Sequence, residues 1–176
     1  LARPGDLFVP LVAERDGHDF VAAALAAGAT AALSERGTDD LGLDHDARLL
    51  LVAHTGAALN DLARSARDPM SARVIGVTGP VGKATVKDLM AGVLGAHLVT
   101  SASERSFNNE IGVPLTLCNA PDDVEALVVE MGARGPGHIA ALCELAHPQV
   151  GVVTVVAGAH LELFGDLAGV AAAKGE

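Results

Sequence analysis

The segment VIGVTGPVGKATVKDLM, residues 74–90, constrains the fold of this chain more than any other stretch. An apolar run enters a glycine-rich turn that ends in Gly82-Lys83, and a helix-like sequence follows. A strand, a tight turn and a helix N-terminus in this order can form an anion-binding loop, because free N–H groups and the helix dipole point at the ligand. The segment therefore favours an α/β protein with a phosphate site at the carboxyl end of a parallel strand.

The loop departs from the strict signature G-x-x-x-x-G-K-[ST] at two positions. Val77 stands where the signature has its first glycine, and Ala84 replaces the hydroxyl residue that binds Mg²⁺. Gly79 and Gly82 still allow the backbone to wrap a phosphate, and Lys83 adds a positive charge. An ordinary tight turn explains the bare pattern equally well, but its position between a strand and a helix favours phosphate binding.

Composition excludes several classes of protein. The net charge of −10 and the absence of Trp and Tyr argue against nucleic-acid binding, and the acidic balance also argues against an anionic membrane surface. The longest run of small and apolar residues is shorter than the roughly 20 residues that span a bilayer. Cys118 and Cys143 lack metal-ligand or CxxC spacing, so we expect buried free thiols in a reducing compartment, the cytoplasm.

The chain reads as two incomplete α/β domains. Residues 1–70 contain strand candidates in DLFVPLVA, AALS and RLLLVA, a helix capped by Asp16 or Asp19, and an amphipathic helix in TGAALNDLARSA. Pro69 marks the predicted boundary. Residues 71–176 alternate apolar strands with helices, which indicates a parallel sheet covered on both faces. The first residue is Leu1 and no cap follows the last helix-like segment, so we expect a piece of a longer protein.

Several segments in a fixed order resemble the Mur ligase family. They are RPGDLFVPL with DGHDF, VTGPVGK, SFNNEIGVPLTL, VVEMGARGPGHI and GAHLELFGDLAGVAAAKGE. The resemblance runs from Arg3 to Glu176. Within the family, the Asn-Asn-x-Ile-Gly-Val-Pro stretch and the AAKGE ending favour the member that adds D-alanyl-D-alanine.

The resemblance implies a fold and a reaction. Residues 1–70 correspond to most of the UDP-substrate domain, and residues 71–176 to the first half of a central ATPase domain; the C-terminal domain is absent. ATP phosphorylates the carboxylate of a UDP-muramoyl tripeptide, and the amine of D-alanyl-D-alanine attacks the acyl phosphate. The implied partners are these two substrates, with no nucleic acid and no membrane insertion, and the sequence leaves the oligomeric state open. As a fragment, the chain is expected to be inactive.

The resemblance also assigns residues to the nucleotide and the metal. Lys83 matches the phosphate-loop lysine. The other residues expected at the nucleotide or the reacting substrate are Thr78, Gly79, Gly82, Thr85, Asn108 and Asn109. The asparagines also suit local turn formation.

The expected magnesium ligands are Glu130, His160 and Lys174, the last as a carbamate formed with CO₂, and the expected catalytic residues are Lys83, His160 and Lys174. Without the resemblance, each has a simpler interpretation: Glu130 as an acid at a strand end, His160 as a structural histidine, and Lys174 as a lysine near a helix C-terminus.

Other interpretations remain open. Two departures from the family pattern favour a catalytically weakened protein that serves as a nucleotide-binding or regulatory module. Ala84 replaces the hydroxyl residue of the loop, and Val155 stands where the family usually has asparagine. A related amide ligase with another substrate, or a purely structural domain, is also compatible with the sequence. His18 and Phe20 in DGHDF are weak candidates for the UDP site, since capping by Asp16 or Asp19 explains this segment equally well.

Overall fold

The computed structural model describes residues 2–157 and 165–176. The chain divides into two compact units, Leu1–Asp61 and Leu62–Glu176. This division falls inside a helix, upstream of the boundary predicted after residue 70. Which substrate each part binds stays a prediction.

The first unit contains a small parallel sheet. Within the described residues its three strands run in the order β1-β2-β3, with Leu7 beside Ala31 and Ala32 beside Leu49. The elements are β1 (Leu7–Phe8), a 3₁₀ helix (Gly17–Phe20), α1 (Val21–Ala26), β2 (Ala31–Ser34), β3 (Leu49–Leu51) and the start of α2 (Thr55–Arg67). These elements confirm the predicted strands and helices; β2 matches the predicted segment AALS, whereas β1 and β3 are shorter than the segments that predicted them.

The second unit contains a larger parallel sheet, whose four described strands have the order β5-β6-β4-β7. The elements are β4 (Arg73–Thr78), α3 (Lys83–Leu94), β5 (Thr100–Ala102), α4 (Gly112–Cys118), β6 (Ala126–Glu130), α5 (His138–Ala146), β7 (Val150–Val153) and α6 (Leu167–Lys174). The predicted alternation of strands and helices is confirmed. Strand β5 and helix α4 were not predicted.

The strand order places a crevice next to β4. After β4 the chain moves to β5 and β6 on one side, and β7 then pairs with the other side of β4. Val77 lies beside Glu130 and Thr78 beside Val153, so the carboxyl ends of these strands meet at one edge. Ligands of open α/β sheets bind at such a change of direction.

Apolar side chains cover both faces of this sheet. On one face, Val74, Leu127 and Val129 pack with residues of α4 and α5. On the other face, Ile75 and Val128 pack against the apolar side of α3, which is formed by Val86, Met90 and Leu94. This arrangement explains why the strands are apolar throughout rather than alternating.

A buried arginine secures the end of α5. The Nε of Arg67 donates a hydrogen bond to the carbonyl of Ala146 at 2.7 Å, and its second guanidinium nitrogen donates to the carbonyl of His147 at 3.1 Å. A third bond of 3.0 Å reaches the carbonyl of Met70. A cation is favourable at this end of a helix, because the last carbonyls lack partners within the helix.

The cysteines differ in part from the expectation. Both are free thiols, as predicted. Cys143 is half-buried, whereas Cys118 is exposed at the end of α4, so the prediction that it is buried was wrong. No helix of the described residues combines the length and apolarity that crossing a bilayer requires.

Candidate functional site

The phosphate loop leaves β4 in a conformation that requires glycine. Gly79 and Gly82 have φ angles of 141° and 81°, and Gly82 caps the N-terminus of α3. A Cβ atom on Gly79 would lie 2.0 Å from Oγ1 of Thr154. That hydroxyl donates a 2.6 Å hydrogen bond to the carbonyl of Val81, so Thr154 holds the loop from the segment after β7.

Lys83 folds back over the loop from the first position of α3. Its Nζ donates a hydrogen bond to the carbonyl of Gly79 at 2.9 Å. The helix dipole disfavours a cation at this end, and a bound anion offsets that cost. Ala84 and Thr85 follow in the first turn and are exposed.

A cleft of about 170 Å³ opens beside the loop. It brings together five of the predicted site residues, namely Gly79, Lys83, Asn108, Asn109 and Lys174. The other lining residues are Pro80, Glu110, Gly132, Ala133, Arg134, His138 and Val170.

Glu130 and Thr78 end adjacent strands with buried oxygens that have no partner. Glu130 is 3% exposed, and its Oε1 accepts a hydrogen bond of 2.7 Å from Nδ2 of Asn108. Its Oε2 and the Oγ1 of Thr78 are the two buried side-chain atoms without a hydrogen-bond partner in the described part of the chain. Leaving such atoms unpaired is costly, so each is a candidate for contact with a bound ion, a ligand or an ordered water. Carboxylate and hydroxyl oxygens suit Mg²⁺.

The two asparagines differ in their contacts. Asn108 is tied to the end of β6, since its carbonyl accepts a 2.6 Å bond from the N–H of Gly132 and its amide contacts Glu130. The Oδ1 of Asn109 accepts from the N–H of Gly112 at 2.9 Å and so caps the start of α4. Asn109 therefore performs the local role that its residue type favours, while its position in the cleft also keeps it a candidate for ligand contact.

Lys174 is buried at the end of α6 and is 7% exposed. Burial lowers the pKa of its amine, the nearby charge of Lys83 lowers it further, and Glu176 acts in the opposite direction. A lowered pKa raises the fraction of neutral, nucleophilic amine at a given pH. The carboxylate of Glu176 accepts hydrogen bonds from the N–H groups of Gly137, at 2.7 Å, and Ala140, at 3.1 Å, at the N-terminus of α5.

Arg134 and His138 are two of the seven lining residues that sequence reasoning missed. Arg134 lies in the turn after β6 and His138 begins α5, and the N–H of Arg134 donates to Nδ1 of His138 at 3.3 Å. Both belong to the segment VVEMGARGPGHI, and the position of that segment just beyond a strand end was the available signal.

The predicted metal ligands are only partly described. His160 lies outside the described residues. Within residues 2–157 and 165–176, no group of three His, Cys, Asp or Glu side chains is arranged to hold a metal ion. The predicted set does not require such a group, because it combines Glu130, a modified Lys174 and His160.

His18 is engaged by the fold of the first unit. Its Nδ1 lies 2.7 Å from Oδ1 of Asp16, and its Nε2 accepts a 3.0 Å hydrogen bond from the N–H of Glu35. Asp16 also caps the 3₁₀ helix through the N–H of His18 and pairs with Arg36. Neither predicted residue caps the Ala-rich helix itself: Asp16 caps the preceding 3₁₀ helix, and α1 follows Phe20 without a side-chain cap. These contacts favour a structural His18.

Comparison with known proteins identifies similar sequences over nearly the whole chain. The family model described as the Mur ligase middle domain matches residues 77–176. The chain is 43% identical to UDP-N-acetylmuramoyl-tripeptide–D-alanyl-D-alanine ligase of Escherichia coli over 98% of its length, and 40% identical to that of Bacillus subtilis over 96%. It spans 37% and 36% of the length of these two relatives.

Solved structures show the same similarity. The MurF crystal structure from Acinetobacter baumannii has a TM-score of 0.85 and 32% identity, covering 98% of this chain and 38% of that one. The MurF ligase from Thermotoga maritima in complex with ADP has a TM-score of 0.82 and 39% identity, covering 98% of this chain and 40% of that one.

Proposed function

Because this chain belongs to the Mur ligase family, we propose that it is part of an ATP-dependent ligase that joins D-alanyl-D-alanine to a UDP-muramoyl tripeptide in the cytoplasm. The observation that carries the proposal is the arrangement at the carboxyl ends of β4 and β6. There a lysine closes over a glycine loop beside a cleft, and the two neighbouring strands end in buried oxygens without partners. The similarity to relatives with this activity and to an ADP complex supports it.

Residues of the phosphate loop are proposed to bind the nucleotide. The N–H groups around Gly79 and Gly82 hold the phosphates at the N-terminus of α3, and the ammonium of Lys83 leaves the carbonyl of Gly79 to neutralise phosphate charge. Phosphoryl transfer to a carboxylate depends on positioning and charge neutralisation, so a mobile ammonium suits the loop. Thr85 in the exposed first turn is a secondary candidate for contact with the nucleotide.

Glu130 and Thr78 fit Mg²⁺ because each offers a buried oxygen without a partner. Mg²⁺, when bound, neutralises the negative charge of the phosphates. Asn108 orients the carboxylate of Glu130 by occupying its other oxygen. Ala84 supplies no oxygen, and we propose that the hydroxyl of Thr78 or water replaces the missing one. His160 and Lys174 complete the proposed set.

Lys174 is proposed to react with CO₂. Its neutral amine forms an N–C bond to CO₂ and loses a proton, which leaves a carbamate anion in place of a cation. Burial and the charge of Lys83 both lower the pKa of Lys174 and so favour the neutral amine that this reaction needs. The product also removes the repulsion between Lys174 and Lys83.

The proposal is tested with the full-length protein that contains this chain. Phosphate release from ATP is expected only when UDP-muramoyl tripeptide and D-alanyl-D-alanine are both present. Absence of release under these conditions would refute it.

A catalytically weakened binding module is the second candidate, and the exposed methyl group of Ala84 at the first turn of α3 is the observation that favours it. The variant Ala84→Thr separates the two. A large gain in ATP affinity or activity supports weakening, whereas no change supports a loop that functions as it stands.

A further inference from the structure

Lys87 is a buried lysine that the proposed reaction does not use. It lies one turn after Lys83 on α3 and is 5% exposed. Its Nζ donates a 2.7 Å hydrogen bond to the carbonyl of Ser103 and lies 2.9 Å from Oδ1 of Asp88. Burying an ammonium is costly, and an apolar side chain of similar volume commonly serves the core at least as well.

The neighbouring positions of α3 show that this cost is specific to residue 87. Val86, Met90 and Leu94 pack against the sheet with apolar side chains only. A charged side chain among them makes a directed contact that these residues do not make. Lys87 contacts a backbone carbonyl. Such a charge-assisted hydrogen bond fixes the position of the chain segment that carries the carbonyl, whereas an apolar side chain would only fill the space.

Ser103 connects Lys87 to Glu130. Its N–H donates to the carbonyl of Val128 at 2.9 Å, and its Oγ accepts the N–H of Glu130 at 3.0 Å. Oγ1 of Thr116 lies 3.3 Å from the same Oγ. Ser103 is 2% exposed, so these bonds form away from solvent, where they are strongest.

The segment that begins at Ser103 orients Glu130 at two points. Ser103 holds the N–H of Glu130, and Asn108, five residues later, holds Oε1 of its carboxylate. Lys87 holds the start of this segment from α3, the helix whose N-terminus forms the phosphate loop. One buried bridge therefore joins the element that would bind phosphate to the carboxylate that would bind the metal.

We propose that Lys87 is a positioning residue that acts through Ser103, so that Glu130 presents Oε2 to a divalent cation bound with the nucleotide. This inference rests on the proposed function of the site. Mutating a residue that orients a metal ligand typically lowers metal affinity by about 10–100-fold. The bridge also ties α3, which carries Lys83, to the strand end that carries Glu130.

The test measures how tightly Mn²⁺ binds to the chain in the presence of ADP. Electron paramagnetic resonance gives the affinity, and Mn²⁺ serves as the probe for Mg²⁺. Lys87→Met and Ser103→Ala should each weaken Mn²⁺ binding by about 10-fold, within the range seen for residues that orient metal ligands. Binding of ADP without metal should change less than about twofold, since neither side chain contacts the phosphate loop. The double variant should be no weaker than the stronger single one, because both act through one bridge.

Asp88→Asn is the matched control. It removes the exposed carboxylate that pairs with Lys87 but keeps the bond to Ser103, so Mn²⁺ binding should remain unchanged. Unchanged Mn²⁺ affinity in folded Lys87→Met and Ser103→Ala would overturn the inference. A matching loss of ADP affinity without metal would also overturn it, because that result indicates general damage to the domain. If circular dichroism shows that Lys87→Met does not fold, Ser103→Ala decides.

A second readout separates this inference from the proposed function. Hydrogen–deuterium exchange of the Glu130 amide should accelerate in Lys87→Met and in Ser103→Ala, whether or not a metal binds. If Glu130→Gln binds Mn²⁺ as tightly as the unchanged protein, the proposed metal site fails. In that case the exchange rate of the Glu130 amide still tests whether Lys87 acts on Glu130 through Ser103. Faster exchange in both variants supports this link, and unchanged exchange overturns it.

Discussion

The two compact units differ in how completely their buried polar side chains are paired. In the first unit, both ring nitrogens of His18 are engaged, and the hydroxyl of buried Thr55 donates to Oε1 of Glu35 at 3.0 Å. In the second unit, Thr78 and Glu130 each keep one buried oxygen without a partner, and these are the two such atoms in the part of the chain that the structure describes.

The contrast distinguishes buried polar groups that stabilise the fold through partners within the protein from buried polar groups that are available to bind a ligand. A polar group whose partners lie within the protein contributes to stability, because its removal leaves another group unsatisfied. A buried polar group without a partner costs stability, and it is retained where binding repays that cost. The first unit therefore supplies an internal control for each test of the second.

The largest change in stability is expected from a substitution in the backbone of the phosphate loop of the second unit. Gly79→Ala should destabilise this unit by about 2–4 kcal/mol, because the strained φ and the clash with Thr154 each cost energy. Gly92→Ala is the matched control on α3, where a Cβ meets nothing within 4 Å. It should stabilise the unit by about 0.5–1 kcal/mol. Thermal unfolding of both variants measures the difference, and equal effects would show that the loop is not strained by a side chain.

A loss of nucleotide affinity is expected next in size. Lys83→Ala should weaken ATP binding by roughly 10–100-fold, the equivalent of about 1.5–3 kcal/mol for a hydrogen bond to a charged group. Isothermal titration calorimetry suits a chain without Trp or Tyr. Arg73→Ala removes the same charge from an exposed position at the opposite end of β4 and should leave affinity unchanged. Similar losses in both variants would mean that the chain attracts ATP only through its overall charge.

A pair of buried threonines tests the contrast directly. Thr55→Val removes a satisfied hydroxyl and should destabilise the first unit by about 1 kcal/mol. Thr78→Val removes an unpartnered hydroxyl, so the free energy of unfolding should stay the same or rise while affinity for ADP with Mg²⁺ falls. Denaturant unfolding and calorimetry give the two quantities. If Thr78→Val costs as much stability as Thr55→Val with no change in affinity, the unpartnered hydroxyl is not a ligand site.

The smallest effect is a pH dependence confined to the first unit. Hydrogen bonds from the backbone and ring of His18, together with the charge of Arg36, hold the pKa of Asp16 below its ordinary value of 3.8. The stability from this carboxylate is present above that value and is lost as pH falls through the lower folded-state pKa. The difference in melting temperature between the unchanged protein and Asp16→Asn should therefore shrink below pH 3.8. A difference that stays constant through this pH range would contradict the prediction.

The sequence predicted the elements with strong local signals and missed those that depend on distant partners. Residues 74–90 predicted a strand, a loop and a helix because apolar periodicity and glycine position are local properties. Strand β5 has only three residues of mixed character, and α4 carries Gly112 and Pro114 near its start, so neither shows a local pattern. The bond between Lys87 and Ser103 depends on the order of β5 and β6 in the sheet, which no local pattern contains.

The site shows the same limit. Lys83, Asn108 and Lys174 were predicted to meet, and the cleft brings them together. Arg134 and His138 join them because the end of the turn after β6 and the start of α5 line the same cleft as the phosphate loop, a consequence of β4 and β6 being neighbours. Strands β4 and β6 are neighbours in the sheet but not in the chain, so these two residues gave no signal by spacing alone.

Helix α5 is secured by residues that the ribosome synthesises far apart. Arg67 holds its last carbonyls from 79 residues upstream, and Glu176 holds its first N–H groups from 39 residues downstream of Gly137. During synthesis Arg67 has already been made when α5 leaves the ribosome, whereas Glu176 is made only after β7 and α6. The N-terminus of α5, whose first residue, His138, lines the cleft, therefore gains the contact with Glu176 only after β7 and α6 have been synthesised.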